Sequence, residues 1–288
     1  MAVALRRYRD HDALEYQYSP ERFHTDSDAV RAARAAASKA TRAKLKHTLD
    51  VRYGSGPLQT LDVFPGKAGG PAFVFIHGGY WRGGDKAANS CVADGLVPGG
   101  ATVFNMNYDL APNVTLDRIV AEVREGIVWV QAHAREHGAD PGRIYICGAS
   151  AGGHLTAMML AQDWSKVPGF SAAAIKGAIP ISGVMETRQL PGLAMNKDTW
   201  KLDAAMAERN CPVLHPPRVK CPILVAVGAT ESDEFVGMSH DYADIARATG
   251  CQVEFMPLDG EGHFSILGQF SRPGSPLLTA TLKMMASA

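Results

Sequence analysis

Short apolar runs and longer amphipathic segments alternate along most of this chain. The runs at 71–76, 101–108, 143–147, 174–181, 223–227 and 253–256 are rich in β-branched and aromatic residues and bounded by turn-forming positions, so each is predicted to be a strand. The run Pro71-Ala-Phe-Val-Phe-Ile76 is continuous rather than alternating, which fits a strand covered on both faces. Between strands, Leu116, Ile119, Val120, Val123, Ile127 and Val130 fall on one face of a helix within 115–137. Further helices are expected at 154–161, at 236–248 and near the C-terminus. Residues 47–53 and 58–64 flank Gly54-Ser55-Gly56-Pro57 and predict an antiparallel hairpin. Strands alternating with helices imply an α/β protein with a mostly parallel central sheet and helices on both faces. No internal repeat or low-complexity linker interrupts the strand-rich part.

Residues 1–46 follow another pattern. Tyr8, Tyr16, Tyr18 and Phe23 punctuate a polar segment, and Asp26-Ser27-Asp28 is predicted to cap an alanine-rich helix. That helix carries Arg31, Arg34, Lys39, Arg42, Lys44 and Lys46 without an intervening acid, and reads as a solvated basic face. The expected organisation is an N-terminal helical cap segment, 1–46, followed by a catalytic domain, 47–288.

Composition narrows the function classes. The 288 residues are 46% hydrophobic and 20% charged, ordinary values for a globular chain. Lysine plus arginine, 29, equals aspartate plus glutamate, 29, so no net field favours nucleic acid. No apolar run reaches the length of a membrane span. The N-terminus has no apolar signal core, and Asp10, Asp12, Glu15 and Glu21 argue against a mitochondrial presequence. Cys91, Cys147, Cys211, Cys221 and Cys251 are odd in number and include no C-x-x-C pair, so reduced thiols and a cytoplasmic location are expected. The partner expected is a small-molecule substrate, with neither nucleic acid nor membrane. Composition leaves a homo-oligomer open.

The chemistry centres on Gly148-Ala149-Ser150-Ala151-Gly152-Gly153, between the predicted strand at 143–147 and the following helix. A serine between two glycines at a strand-to-helix turn is the G-x-S-x-G nucleophile elbow, in which a strained backbone holds the hydroxyl clear of the sheet. A serine nucleophile needs a base, a carboxylate to orient the base, and donors for the oxyanion. His263, in a glycine-bounded loop after the last predicted strand, is the candidate base, whereas His240 falls inside a predicted helix. Glu231 leaves the strand at 223–227 first and is the preferred acid; Asp233 and Glu234 compete with it. Oxyanion donors are expected from the backbone N–H groups of Gly78, Gly79 and Ala151. His133-Ala134-Arg135-Glu136-His137 matches a zinc pattern but sits at a helix end without a third ligand; it reads as a solvated terminus, and no metal is expected. His154 reads as a structural hydrogen-bonder and Cys147 as a core residue.

Through these residues the chain resembles the α/β-hydrolase superfamily from about residue 47 onward. Within it the chain is similar to the arylformamidase (kynurenine formamidase) branch, near the hormone-sensitive-lipase-like esterases. The resemblance is carried by His77-Gly78-Gly79-Tyr80-Trp81, Asn107-Tyr108-Asp109-Leu110-Ala111-Pro112, the elbow with His154, Glu231 to Phe235, and Gly262-His263-Phe264. The family pattern usually has aspartate where Glu231 stands. The resemblance implies hydrolysis of N-formyl-L-kynurenine to L-kynurenine and formate, in tryptophan breakdown, without cofactor or metal. Tyr80 and Trp81 would either wall the substrate site or serve as core packing. The rivals are a carboxylesterase or amide or carbamate hydrolase and, from another class, a binding protein on the same fold. Turnover of a nitrophenyl ester separates the last from the others.

Overall fold

The computed structural model describes residues 5–287. One sheet holds β1 (Thr48–Arg52), β2 (Thr60–Phe64), β3 (Gly70–Ile76), β4 (Thr102–Met106), β5 (Ala139–Ala149), β6 (Ile175–Ile181), β7 (Ile223–Gly228) and β8 (Val253–Leu258). Their spatial order is β1-β2-β4-β3-β5-β6-β7-β8. The predicted hairpin is the antiparallel β1–β2 pair, β2 is also antiparallel to β4, and every later pairing is parallel. The longer helices are α1 (His11–Gln17), α2 (Ser27–Lys44), α3 (Leu116–His133), α4 (Ala151–Ala161), α5 (Asp233–Ala248) and α6 (Pro276–Ala286).

The continuous apolar runs become strands buried on both sides. All seven residues of β3 are buried, and side chains alternate between the two faces. Val74 and Ile76 join a core with Ile119, Val123 and Ile127 of α3 and with Phe235 and Met238 of α5. Phe73 and Phe75 point the other way, into a core closed by Phe270 and by Leu277 and Leu278 of α6. Each such side chain contributes roughly 1.5–3 kcal/mol relative to exposure. The helix predicted over 115–137 is α-helical to His133 and then tightens to a 3-10 turn over Ala134–His137, ended by left-handed Gly138 at φ 79°.

The basic helix α2 is less solvated than its composition suggests. It packs on the 3-10 helix Lys86–Val92, with Ser38 and Thr41 buried. There Ser38 Oγ donates to the Ala88 carbonyl at 2.9 Å, and Arg42 bonds the Ala87 carbonyl and Ser90 Oγ. Charge patterning does not separate the arginines that reach solvent from Arg42, which bonds the 3-10 helix.

The stretch before α2 is tied to α5 through a carboxyl group. Glu234 is fully buried and accepts a hydrogen bond from Tyr18 Oη at 2.9 Å and another from Tyr8 Oη. Burial pushes the Glu234 carboxyl up to about 7; Arg6, 3.6 Å away, opposes the shift and Asp241 adds to it. The folded state therefore holds this proton more tightly than the unfolded chain, whose ordinary glutamate value is 4.5. Stability from this group is complete below that value and is lost as pH rises through about 7. In urea unfolding, the midpoint of Glu234→Gln minus that of wild type should move in the variant's favour between pH 5 and pH 8. An equal difference at both pH values would show that the carboxyl is ionised throughout.

Helix α4 crosses β3 at backbone contact. A Cβ on Gly152 would lie 2.0 Å from the Ile76 carbonyl oxygen, and a Cβ on Gly148 2.3 Å from the Gly152 carbonyl oxygen. Gly152→Ala should therefore lower stability by about 3 kcal/mol or more, at the upper end of overpacking costs. Gly268→Ala, where a methyl group meets nothing within 4 Å, should stay within about 0.5 kcal/mol of wild type. Thermal denaturation of both variants checks the contrast.

Candidate active site

Ser150 sits between β5 and α4 with φ 57° and ψ −118°, in the left-handed half of backbone space. Its N–H donates to the Ile181 carbonyl at the end of β6, 2.8 Å away. That bond and the close glycine contacts hold a conformation that a non-glycine residue avoids. The result lifts the hydroxyl off the carboxyl end of the sheet and starts α4 beneath it, where the first helical N–H groups lack an i−4 partner.

Two other strand ends converge on this hydroxyl. His263 follows β8, and its Nε2 lies 3.0 Å from Ser150 Oγ. Its Nδ1 lies 2.6 Å from Glu231 Oε2, and both residues are buried, at 8% exposure. The other carboxylate oxygen accepts hydrogen bonds from the Gly228 N–H at 2.8 Å and from Ser182 Oγ at 2.5 Å. With both its oxygens hydrogen-bonded, this buried carboxylate fixes the imidazole's orientation. Of the three competing acids the structure brings Glu231 alone against His263. Ser232 caps α5 by accepting from the Phe235 N–H, so Asp233 lies exposed in the first turn and Glu234 faces Tyr18.

The loop bearing His263 is clamped rather than loose. Ser265 Oγ and Gln269 Nε2 donate to Glu261 at 2.6 and 2.9 Å, and Arg272 pairs with the same carboxylate. Burial opposes ionisation of Glu261, yet the donors of Ser265, Arg272 and Gln269 hold its carboxyl below the ordinary value. From the N-terminal stretch, His24 Nε2 accepts the backbone N–H of His263 at 3.1 Å. Burial pushes the His24 imidazole down, toward the neutral form that this acceptor role requires.

The turn after β3 faces the elbow. A Cβ on Gly78 would meet the Ala149 carbonyl oxygen at 2.7 Å and Ser150 Cβ at 3.0 Å, so only glycine permits this approach. The N–H groups of Gly78 and Gly79 donate to no protein group among the described residues. Such unpaired donors beside the elbow, with the N–H of Ala151 at the start of α4, are the kind of group that an oxyanion on a carbon bound to Ser150 requires. Tyr108 stacks on His77 behind this turn with ring centroids 4.5 Å apart, and burial pushes the His77 imidazole down.

Tyr80 and Trp81 both have positive φ, 50° and 56°, but play different parts. Tyr80 lines a cavity of about 660 Å³ that also contains Ser150, His263, Gly78 and Gly79. Trp81 is 1% exposed and lies behind the cavity, edge-on to the rings of His154 and Trp200. The expectation that Trp81 faces substrate gives way to its role as packing. A tight turn sends adjacent side chains in opposite directions, and sequence alone does not tell which enters the cavity.

Other histidines are occupied elsewhere. His154 Nε2 donates to the Asn210 carbonyl at 2.7 Å, and burial lowers its pKa to about 4. His133 stacks on Trp129 at 4.2 Å, while His137 packs edge-on against Phe104. Sequence reading missed Ser182, His24 and the cavity-lining Arg31 and Arg34. Ser182 had one usable signal, a Ser-Gly pair directly after a strand. The others belong to the N-terminal segment expected as a cap, in which the helix carrying Arg31 and Arg34 reads as a solvated basic face.

This architecture has many known counterparts. A family model described as the alpha/beta hydrolase fold matches residues 73–267. Kynurenine formamidase of Danio rerio is 32% identical over 96% of this chain and 97% of its own length, and that of Salmo salar has the same identity and coverage. Esterase LipC of Mycobacterium tuberculosis is 28% identical over 75% of this chain and 59% of its own length. Among solved structures, a candidate thioesterase from silicibacter sp. tm1040 superposes with a TM-score of 0.81 at 29% identity, covering 92% of this chain and 97% of that one. The chain is a hydrolase of the α/β-hydrolase family, in the branch where kynurenine formamidases stand beside esterases.

Proposed function

We propose that this enzyme is an arylformamidase that hydrolyses N-formyl-L-kynurenine, or a related aryl formamide, through a formyl-enzyme on Ser150. The observation that carries this reading is the Ser150–His263–Glu231 chain, with contacts of 3.0 and 2.6 Å, in a protein similar over nearly its full length to kynurenine formamidases. Ser150 Oγ attacks the formyl carbon while His263 Nε2 takes the hydroxyl proton. The N–H groups of Gly78, Gly79 and Ala151 stabilise the oxyanion. His263 returns the proton to the aryl nitrogen as the C–N bond breaks, releasing the amine. Water, deprotonated by the same imidazole, attacks the formyl ester and frees formate and Ser150. These steps need only the chain's own residues and water.

Residues of the N-terminal segment act in this reading as a cap over the strand ends, since Arg31 and Arg34 line the same cavity as Ser150. The five cysteines are free and buried, as suits a chain working in the reducing cytoplasm. No helix among the described residues is long and apolar enough to cross a membrane.

Replacing Ser150 by alanine should lower turnover at least about a thousandfold with the fold intact, and an organophosphate should label Ser150 in the wild type. Glu231→Gln should cost at least about a hundredfold, because the imidazolium loses its partner, whereas Asp233→Asn should cost less than about threefold. A crippled Asp233→Asn enzyme beside an active Glu231→Gln would transfer the acid's role.

Tyr80, backed by Trp81 and Trp200, leaves a wall beside the oxyanion turn that suits a small acyl group. Specificity constants for nitrophenyl esters should therefore fall from acetyl to octanoyl, with each refused methylene worth roughly 1–3 kcal/mol. N-formylkynurenine should exceed the best ester. Background rates on the formamide beside brisk butyryl ester turnover would make the enzyme a carboxylesterase.

A further inference from the structure

Arg34 is the unexplained charge of the cavity. It lies on α2, one helical turn after Arg31, and shares the cavity with Ser150 and His263. Its Nε is buried without a hydrogen-bond partner, and no carboxylate among the described residues pairs with the guanidinium. The neighbouring charges are committed. Arg31 pairs with Glu21 at 2.6 Å and with Asp28 at 3.4 Å, and lies over the Phe264 ring at 4.3 Å. Glu21 is thereby used, and Asp85 accepts the Ala87 N–H at 2.7 Å and Asn107 Nδ2 at 2.9 Å. Arg82, also on the cavity wall, is exposed and solvated.

Arg34 as a whole is half-buried; withdrawing its Nε from water without a partner or a counter-charge is costly, and arginine keeps its proton under any physiological condition. Burial does lower the Arg34 pKa, which is the same cost in another form. An anion entering the cavity would remove that cost, and the planar fork of donors matches a carboxylate two atoms at a time.

We propose that Arg34 is the carboxylate receptor of this active site, selecting aryl formamides that carry a free carboxylate over neutral ones. The substrate half of the proposal rests on the formamidase reading; the receptor half does not. In N-formylkynurenine the carboxylate lies at the far end of the side chain from the formamide. Holding it on α2 leaves the formyl group for the strand ends, where Ser150 and His263 stand. Selection would then work through a buried donor left unpaired by a neutral substrate, the stronger form of discrimination.

The test measures kcat/KM for N-formylkynurenine and for neutral 2-formamidoacetophenone with wild type, Arg34→Gln and Arg34→Lys. The ratio of charged to neutral substrate should fall by about ten- to a hundredfold in Arg34→Gln, chiefly through KM, and by less in Arg34→Lys, which keeps the charge but loses the fork. A ratio within twofold of wild type in both variants overturns the proposal and leaves the formamidase reading standing. A second arm needs no formamide turnover: inhibition of nitrophenyl acetate hydrolysis by 3-benzoylpropionate against neutral butyrophenone. Wild type should prefer the carboxylate by at least about tenfold, and Arg34→Gln should lose that preference. If wild type cleaves neither formamide, the formamidase reading fails, and this arm still decides Arg34. Equal affinity for both inhibitors in wild type rejects the receptor. Should Arg34→Gln not fold, Arg34→Lys carries both arms, and an unchanged ratio and preference there rejects it.

Discussion

The structure depends on how closely two backbone turns approach each other. The start of α4 presses against the end of β3, with Gly152 against the Ile76 carbonyl and Gly78 against the Ala149 carbonyl. Neither contact tolerates a side chain. The elbow that strains Ser150 and the turn that offers Gly78 and Gly79 are therefore one interlocked unit, not two neighbouring motifs. Packing on both faces of the sheet holds them together: β3 and β5 pair in register from Ala72↔Ile144 to Ile76↔Gly148, which sets the two turns side by side. The strain at Ser150 is sustained by this pairing and by the cores beneath it.

Glutamate in place of the usual aspartate has a geometric account. The chain turns back after β7, with the Glu231 N–H donating to the Gly228 carbonyl at 3.1 Å. The side chain must then reach both backward to the Gly228 N–H and across to His263, 2.8 and 2.6 Å from its two oxygens. The extra methylene supplies that reach. Ser182 completes the set from the end of β6, at φ 46°, so successive strand ends each contribute to one hydrogen-bonded chain. A buried carboxylate so fully satisfied is rigid as well as charged, and rigidity is what an orienting group requires.

Much of this was legible in sequence because burial on both faces writes itself as continuous apolar runs, and close backbone approach writes itself as glycine. Strands 71–76 and 223–227, the elbow and the loop of His263 all carried such marks. Glu231 was readable from its place directly after a strand. The N-terminal segment was not, because its contacts depend on tertiary approach. His24 meets His263 across 239 residues, and Arg34 lies on a helix whose charge pattern is indistinguishable from a solvated one. Tyr80 and Trp81 were inseparable for a different reason: two consecutive left-handed residues follow no strand or helix period.

The cavity has two walls with different freedoms. One is made by strand ends and the elbow, where any change meets a backbone contact or a buried carboxylate. The other is made by α2, which contributes Ala32 and Ala35 beside Arg31 and Arg34, and rests on the 3-10 helix Lys86–Val92 through a few polar bonds. Substitutions on that second wall need not disturb the core, so chemistry and selection are separated within one site. Hydrolases sharing the first wall can then differ in substrate through the second, and function has to be argued from the site as well as the fold. In this chain the second wall places an uncompensated cation above a general acyl-transfer centre, and the missing counter-charge is the feature by which a substrate would be chosen.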